Sequence, residues 1–275
     1  MSEKRIAQKS ICPLCNQSNG YVELDRGDFV LVHCSECDLV YAWPFDTSET
    51  LYDDAYSSNG EYHYYLSMAT KAQHTKFPLT WSMRRFLQTI RPNGELLDIG
   101  CSTGGFLLAA KEKGWNINGV ELSERAANIA HTLSSAQVWI GSFEKMRIED
   151  SFDAITAWEV LEHSSDPVGF ITAAVGLLRP GGVLGLSVPN WRSPWMKRSK
   201  EPQHWPPYHL TFWNRTSLGQ LFSQVGLNNW MIREKPFAWG EEVGRLKWLY
   251  LPVSLTRSVL LGQKGMHLFA MAWKP

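Results

Sequence analysis

Four of the five cysteines fall into two short pairs, Cys12-Pro13-Leu14-Cys15 and Cys34-Ser35-Glu36-Cys37, separated by Asn16 to His33. Two residues between cysteines let both thiolates face one ion, and two such knuckles complete a tetrahedron. The spacing predicts a structural zinc ion held by Cys12, Cys15, Cys34 and Cys37, serving folding rather than catalysis. Disulfides or a redox pair are the other readings. A reducing compartment disfavours the first, and two pairs in register disfavour the second. His33, beside Cys34, reads as a strand-end residue, with ligation as its alternative.

A second constellation lies in Glu95-Leu96-Leu97-Asp98-Ile99-Gly100-Cys101-Ser102-Thr103-Gly104-Gly105. An apolar run meets a glycine-rich turn and passes directly into a helical pattern. Glycines remove Cβ atoms where a backbone must turn sharply or a ligand must come close. The helix start beyond offers unpaired N–H groups and a positive dipole end. Glu121 closes the next apolar run, where an acid binds ribose hydroxyls in nucleotide sites. A nicotinamide site shares these features, but its fingerprint wants glycine at position 102, which is Ser. Asp98 also puts a carboxylate where a pyrophosphate would be repelled and an ammonium welcomed.

Histidine is the third candidate, since its pKa near neutrality suits proton removal from an acceptor. His163 follows the fourth apolar strand of this region, at the sheet edge where ligands bind in α/β folds. His209 sits in a long insertion with Trp191, Trp195, Trp205 and Trp213, and Trp230 and Trp239 follow. Residues 191–213 are expected to form a substrate lid whose indoles either stack on a ring or simply pack.

The elements that must position these groups follow from the hydrophobic pattern. Tyr21 to Leu24 and Phe29 to His33 read as strands joined across Asp25 to Asp28, a zinc ribbon in outline. Residues 1–45 form that module. Residues 46–92 form a connector and cap, with five tyrosines between Asp46 and Tyr65 and a helix from about Leu66 to Ile90. From 93 to 275 strands and helices alternate. Strands are expected at Leu96–Ile99, Asn116–Leu122, Val138–Gly141, Phe152–Val160, Val183–Val188, Trp230–Lys235 and Met266–Trp273, and helices at Gly105–Lys113, Ser123–Thr132, Asp166–Leu178 and Thr216–Val225. Such alternation predicts an α/β, doubly wound, mainly parallel sheet.

Lys plus Arg and Asp plus Glu each number 27, and nucleic-acid binders normally carry a basic excess. A nucleic-acid partner is therefore not expected. The first residues show no secretory leader, and Leu246 to Leu261, broken by Pro252 and Arg257, is too short to span a bilayer. A cytoplasmic location with no transmembrane segment is expected. Peripheral membrane contact through that stretch stands as an alternative to a buried amphipathic helix. Nothing in the sequence bears on oligomeric state.

Asp98-Ile99-Gly100-x-Ser102-x-Gly104, Gly119-Val120-Glu121, Phe152 through Glu159-Val160-Leu161-Glu162-His163 and Leu178-Arg179-Pro180-Gly181-Gly182 occur in this order. Together they resemble class I S-adenosylmethionine-dependent methyltransferases over about Glu95 to Lys274. The N-terminal ribbon, with His209-Leu210-Thr211-Phe212 before a helix, is similar to a subgroup that modifies sugars and related metabolites. The resemblance implies a Rossmann-like seven-stranded sheet and S-adenosylmethionine as methyl donor. It places Asp98 and Gly100 at the methionine part, with Ser102 and Gly104 in the turn and Ser102 replacing the usual glycine. Glu121 would hold the ribose, Leu122, Ser142 and Phe143 would contact adenine, and Trp158 and Glu159 would flank the transfer point. It makes His209 the first candidate for base or substrate contact and His163 the second. The expected acceptor is a small molecule, a sugar, glycan precursor or related metabolite. An RNA methyltransferase gripping nucleic acid with its ribbon, a nicotinamide oxidoreductase and a non-catalytic cofactor-binding protein are the rival readings.

Overall fold

The computed structural model describes residues 10–44, 79–235 and 265–275. The tyrosine-rich stretch, Trp239 and the Leu246 to Leu261 segment lie outside these residues. Of the long helix expected before Ile90, the described part is α1 (Trp81–Thr89), opened by the Thr80 hydroxyl accepting from the Met83 amide.

The main sheet has seven strands. Five run parallel: β4 (Glu95–Ile99), β5 (Asn116–Glu121), β6 (Gln137–Ile140), β7 (Phe152–Trp158) and β8 (Leu178–Pro189). Two more, β10 (Asn229–Glu234) and β11 (His267–Trp273), complete the order β10-β11-β8-β7-β4-β5-β6, with β11 antiparallel to both neighbours. Central strands are buried on both faces, so β7 and β8 read as near-continuous apolar runs rather than alternating ones. Helices α2 (Gly105–Glu112), α3 (Glu124–Ser134), α4 (Pro167–Leu177) and α5 (Arg215–Gln224) pack beside them. Three of their starts carry side-chain caps: the Ser123 hydroxyl accepts from Ala126, Asp166 accepts from Gly169, and Asn214 forms a capping box with Ser217.

The ribbon strands β1 (Gly20–Asp25) and β2 (Val30–Cys34) form the expected hairpin, but the sheet does not stop there. It continues through β3 (Val40–Trp43) to β9 (Thr211–Phe212), which belongs to the insertion after β8. The ribbon and the expected lid are thus one antiparallel sheet. Leu14, Val32 and Tyr41 join the same apolar cluster as Leu97, Ile155 and Trp213, so the ribbon packs onto the α/β core instead of hanging from it. Among the described residues no helix is long and apolar enough to cross a membrane.

Candidate functional site

The turn after β4 is shaped around Glu121. Gly100 (φ +71°) and Cys101 donate their amides to the Val120 carbonyl, which bends the chain across the tip of β5. The Ser102 amide then donates to Glu121 Oε2 at 2.8 Å, while the Ser123 amide donates to Oε1 at 3.0 Å. Ser102 itself lies in the left-handed region (φ +48°), which explains why glycine is usual there. A Cβ on Gly104 (φ +81°) would stand 2.8 Å from the Ala130 Cα, so this glycine lets α2 and α3 approach. Cys101 is a buried packing residue in this turn, facing Gly119.

Asp98, at the end of β4, is 1% exposed and accepts a 2.6 Å hydrogen bond from the Thr156 hydroxyl. Burial pushes its carboxyl up to about 8; the Thr156 bond opposes that rise and the Glu121 charge reinforces it. Two buried acids, Asp98 and Glu121, therefore line a cleft of about 690 Å³ at the carboxyl edge of the sheet. Gly100, Ser102 and Leu122 line it as well, and Ser142 and Phe143 form a wall after β6. Phe143 serves the core as well: it is 7% exposed, with its ring edge-on to Phe170 at 5.3 Å. Gly104 supports the turn from behind and does not line the cleft.

Trp158 and Glu159 also line the cleft. The Trp158 ring is fixed among Phe86, Phe106 and Phe269, and its buried Nε1 finds no hydrogen-bond partner among the described residues. Glu159 has φ +56°, and its Oε2 lies 3.6 Å from His267 Nε2.

A short 3₁₀ turn (Leu161–His163) meets the insertion. His163 Nδ1 donates to the Tyr208 carbonyl at 2.8 Å, the Leu210 amide donates to the Glu162 carbonyl at 2.8 Å, and Thr211 Oγ1 donates to the Leu161 carbonyl at 3.3 Å. These ties set the His209 ring edge-on to His163, 4.8 Å between centroids. Burial pushes His163 down to about 4. Burial, then the neighbouring His163, His204 and His267, push His209 well below its ordinary value. Both rings are neutral near pH 7.

Glu162, His204 and His267 also line the cleft and carried no role in the sequence reading. Glu162 stood in the quoted motif beside His163. His204 and His267 come from a turn in the insertion after β8 and from the start of β11, so only the fold brings them to this edge. The lid tryptophans are placed otherwise than a stacking role requires. Trp191, Trp205 and Trp213 are buried, the first two clustering with Phe212 and Phe29 between lid and ribbon, and Trp195 is exposed. None of the four lines the cleft; from the insertion, Met196, Gln203, His204 and His209 do.

In the ribbon, Cys12 and Cys37 sulfurs are 3.4 Å apart, as are those of Cys15 and Cys34, and all four lie within 4.8 Å of one another. Sulfurs on one tetrahedral zinc at about 2.3 Å are about 3.8 Å apart, so the set fits such an ion. All four are free thiols, which removes the disulfide reading. His33 points away, bonding Asp38 at 2.7 Å and Tyr21 at 2.8 Å.

Comparison with known proteins agrees with this geometry. Over 106 residues, 36% of this chain, the sequence is 39% identical to the ubiquinone biosynthesis O-methyltransferase of Xanthomonas campestris pv. campestris. The match covers 44% of that protein, so the chain spans under half the length of the curated relatives it matches. An S-adenosylmethionine-dependent methyltransferase of Thermotoga maritima superposes with TM-score 0.60 at 20% identity, covering 83% of this chain and all of that one. Phosphoethanolamine N-methyltransferase 2 of Haemonchus contortus, in complex with S-adenosyl-L-methionine, gives 0.57 at 15% identity, covering 86% of this chain and 63% of that one. The methyltransferase-domain family model matches residues 75–232, more than half of the chain. The chain therefore belongs to the methyltransferase-domain family and carries the class I fold of S-adenosylmethionine-dependent methyltransferases.

Proposed function

We propose that this protein moves a methyl group from S-adenosylmethionine to a small-molecule acceptor, a sugar, glycan precursor or related metabolite. The observation that carries the reading is the lining of one continuous cleft. Buried acids Asp98 and Glu121 line it from the ends of β4 and β5, and the neutral imidazoles of His163 and His209 line it from just beyond β7 and from the insertion after β8.

The residues present fit the donor. Asp98 suits its ammonium, and Glu121, held by two backbone amides, keeps lone pairs for ribose hydroxyls. Leu122, Ser142 and Phe143 offer an apolar slot for adenine. The bound donor supplies an electrophilic methyl on a sulfonium. The chain's part is to align the acceptor in line with that carbon beside Trp158 and Glu159, and to exclude water. His209 activates the acceptor, with His163 behind it, because a neutral imidazole carries a lone pair for a proton or another electrophile. The ribbon holds a structural zinc on Cys12, Cys15, Cys34 and Cys37.

A small-molecule acceptor is supported by the ubiquinone biosynthesis and phosphoethanolamine methyltransferases named above, and by a net charge of zero, which disfavours RNA. The test is incubation with isotopically labelled S-adenosylmethionine and a metabolite extract, followed by mass spectrometry. A labelled metabolite is expected; label entering only RNA, or nowhere, overturns the reading. Replacing His209 by Ala is expected to remove turnover while S-adenosylhomocysteine affinity survives, and retained turnover defeats the role given to His209.

A further inference from the structure

We propose that a pocket beside the edge strand β10 is a second ligand site, separate from the methyl-transfer cleft, that holds the phosphoryl group of a diphosphate or phosphate ester. The proposal goes beyond the methyl-transfer reading and does not depend on it.

Strand β10 ends the seven-stranded sheet and, among the described residues, pairs only with β11. A pocket of about 790 Å³ lies along it, a volume within the range of small-molecule sites. Arg84 and Arg85 line it from α1, Arg215 from the start of α5 and Arg233 from β10 itself. Among the described residues no lysine lines this pocket, and its one carboxylate is Glu234. None of the four arginines is ion-paired, with Glu234 or with any other acid of the described residues.

The guanidiniums are held in place, yet their charges are not neutralised. Arg84 Nε donates to the Leu79 carbonyl at 3.0 Å, Arg233 Nε meets the Met231 sulfur at 3.0 Å, and Arg215 Nη1 donates to the Ile232 carbonyl. All three acceptors are neutral. Each bond takes one of the five N–H donors of a guanidinium and leaves the others for a ligand. Like charges gathered this way repel one another, so the folded chain gains no stability from collecting them. Edge strands are often guarded by charged side chains against pairing with another chain, and Arg215 and Arg233 fit that use. Arg84 and Arg85 lie on a helix and do not.

The arrangement selects the ligand class. A guanidinium presents a planar fork that pairs two N–H groups with two oxygens of a phosphoryl or carboxylate group. Four such forks converge on one concavity from three elements, which suits a compact anion with several oxygens better than a single carboxylate or an extended acidic peptide. Trp81, Arg84, Arg85 and Gln88 recur at helical spacing, so one face of α1 forms a wall of this pocket and Gln88 adds an amide donor to it. Thr80 and Met83, at the start of the same helix, line the methyl-transfer cleft instead. The two sites share a helix and no residue.

The test uses the full chain and inorganic diphosphate, titrated by calorimetry at low ionic strength. Wild type is expected to bind one equivalent, with an affinity that falls as salt is added. Replacing Arg84→Gln and Arg233→Gln together is expected to weaken binding about tenfold or more. Arg125→Gln, on α3 and outside this pocket, removes a like charge and is expected to change affinity less than about twofold. Vesicles of phosphatidylcholine with and without phosphatidylglycerol, sedimented with the protein, present the phosphoryl group on a lipid. Sedimentation that needs phosphatidylglycerol and is lost in the double variant assigns the group to a lipid, and diphosphate binding without sedimentation assigns it to a soluble ligand. No binding of either probe by wild type, equal binding by the double variant, or equal weakening by Arg125→Gln overturns the proposal. Sulfate bound as tightly as diphosphate marks an adventitious ion only and overturns it too, as does a poly-glutamate peptide that binds where neither probe does. Thermal melts check folding, and a double variant that has lost its melt is replaced by Arg85→Gln, read the same way.

Discussion

Asp98 shows how one side chain links burial to ligand choice. Its carboxyl, pushed up to about 8, holds a proton at neutral pH. The donor's ammonium prefers the ionised form, so binding must expel that proton. Affinity for S-adenosylhomocysteine is therefore expected to rise from about pH 6 to about pH 8, by at most about tenfold per pH unit. The sign follows because the free protein is the more protonated state, and raising pH removes the competing proton. Burial sets this value, with Thr156 opposing and Glu121 adding to it, and Asp98→Asn should abolish both the slope and most of the affinity. Calorimetry in buffers of different ionisation enthalpy reads the proton directly; a pH-independent affinity in wild type refutes it. Glu121→Gln should weaken the same ligand by about 10- to 100-fold, since an amide NH₂ would confront the donating Ser102 or Ser123 N–H. Both acids were legible in the sequence, because each ends an apolar run beside a glycine turn. The place of Glu162 in the cleft was not, because only the fold, and no local pattern, buries that side chain there.

At the scale of elements, pattern and structure agree where one strand or helix carries its own signal. Ser123 and Asp166 mark helix starts by chemistry local to the chain, and those helices begin where expected, while the helix expected from Thr216 starts at Arg215 under an Asn214 cap. Strand β3 escaped notice because Val40, Tyr41 and Ala42 are all buried, leaving no alternation to read, and β9 is two residues long. The lid tryptophans misled for a related reason: an indole's apolar body suits a ligand and an inter-element cluster equally. The turn between β4 and α2 gives a sharper test. Gly104→Ala would set a Cβ 2.8 Å from the Ala130 Cα at φ +81°, and both strain and clash act against it. A loss of about 1–3 kcal/mol is expected, read as a lowered midpoint in urea, with weaker cofactor binding as the helices part. An unchanged midpoint removes the packing role.

For the whole molecule, the consequence of one continuous β1-β2-β3-β9 sheet is that the ribbon's fold bears on the acceptor site. The Ala42 amide donates to the Leu210 carbonyl at 2.8 Å, Asn214 Nδ2 donates to the Asp38 carbonyl at 2.6 Å, and Lys197 pairs with Glu23 at 2.6 Å. Arg192 also pairs with Asp38. His209 lies next to Leu210 in this seam, whereas Asp98 and Glu121 hang on the parallel sheet and take no part in it. A structural zinc supplies folding free energy to the small unit that holds it. Replacing Cys12 and Cys37 together by Ser should therefore loosen β3 and β9 while the glycine turn keeps its shape. Hydrogen exchange should quicken at residues 40–43 and 210–213 but not along β4 and β5. S-adenosylhomocysteine affinity should hold within about twofold, because these sites share no direct contact. Turnover of the acceptor should fall by about tenfold or more, as displacement of a group at the reacting centre by an ångström does. Loss of cofactor binding in step with turnover would show the ribbon to be a global stabiliser, with no selective hold on the lid.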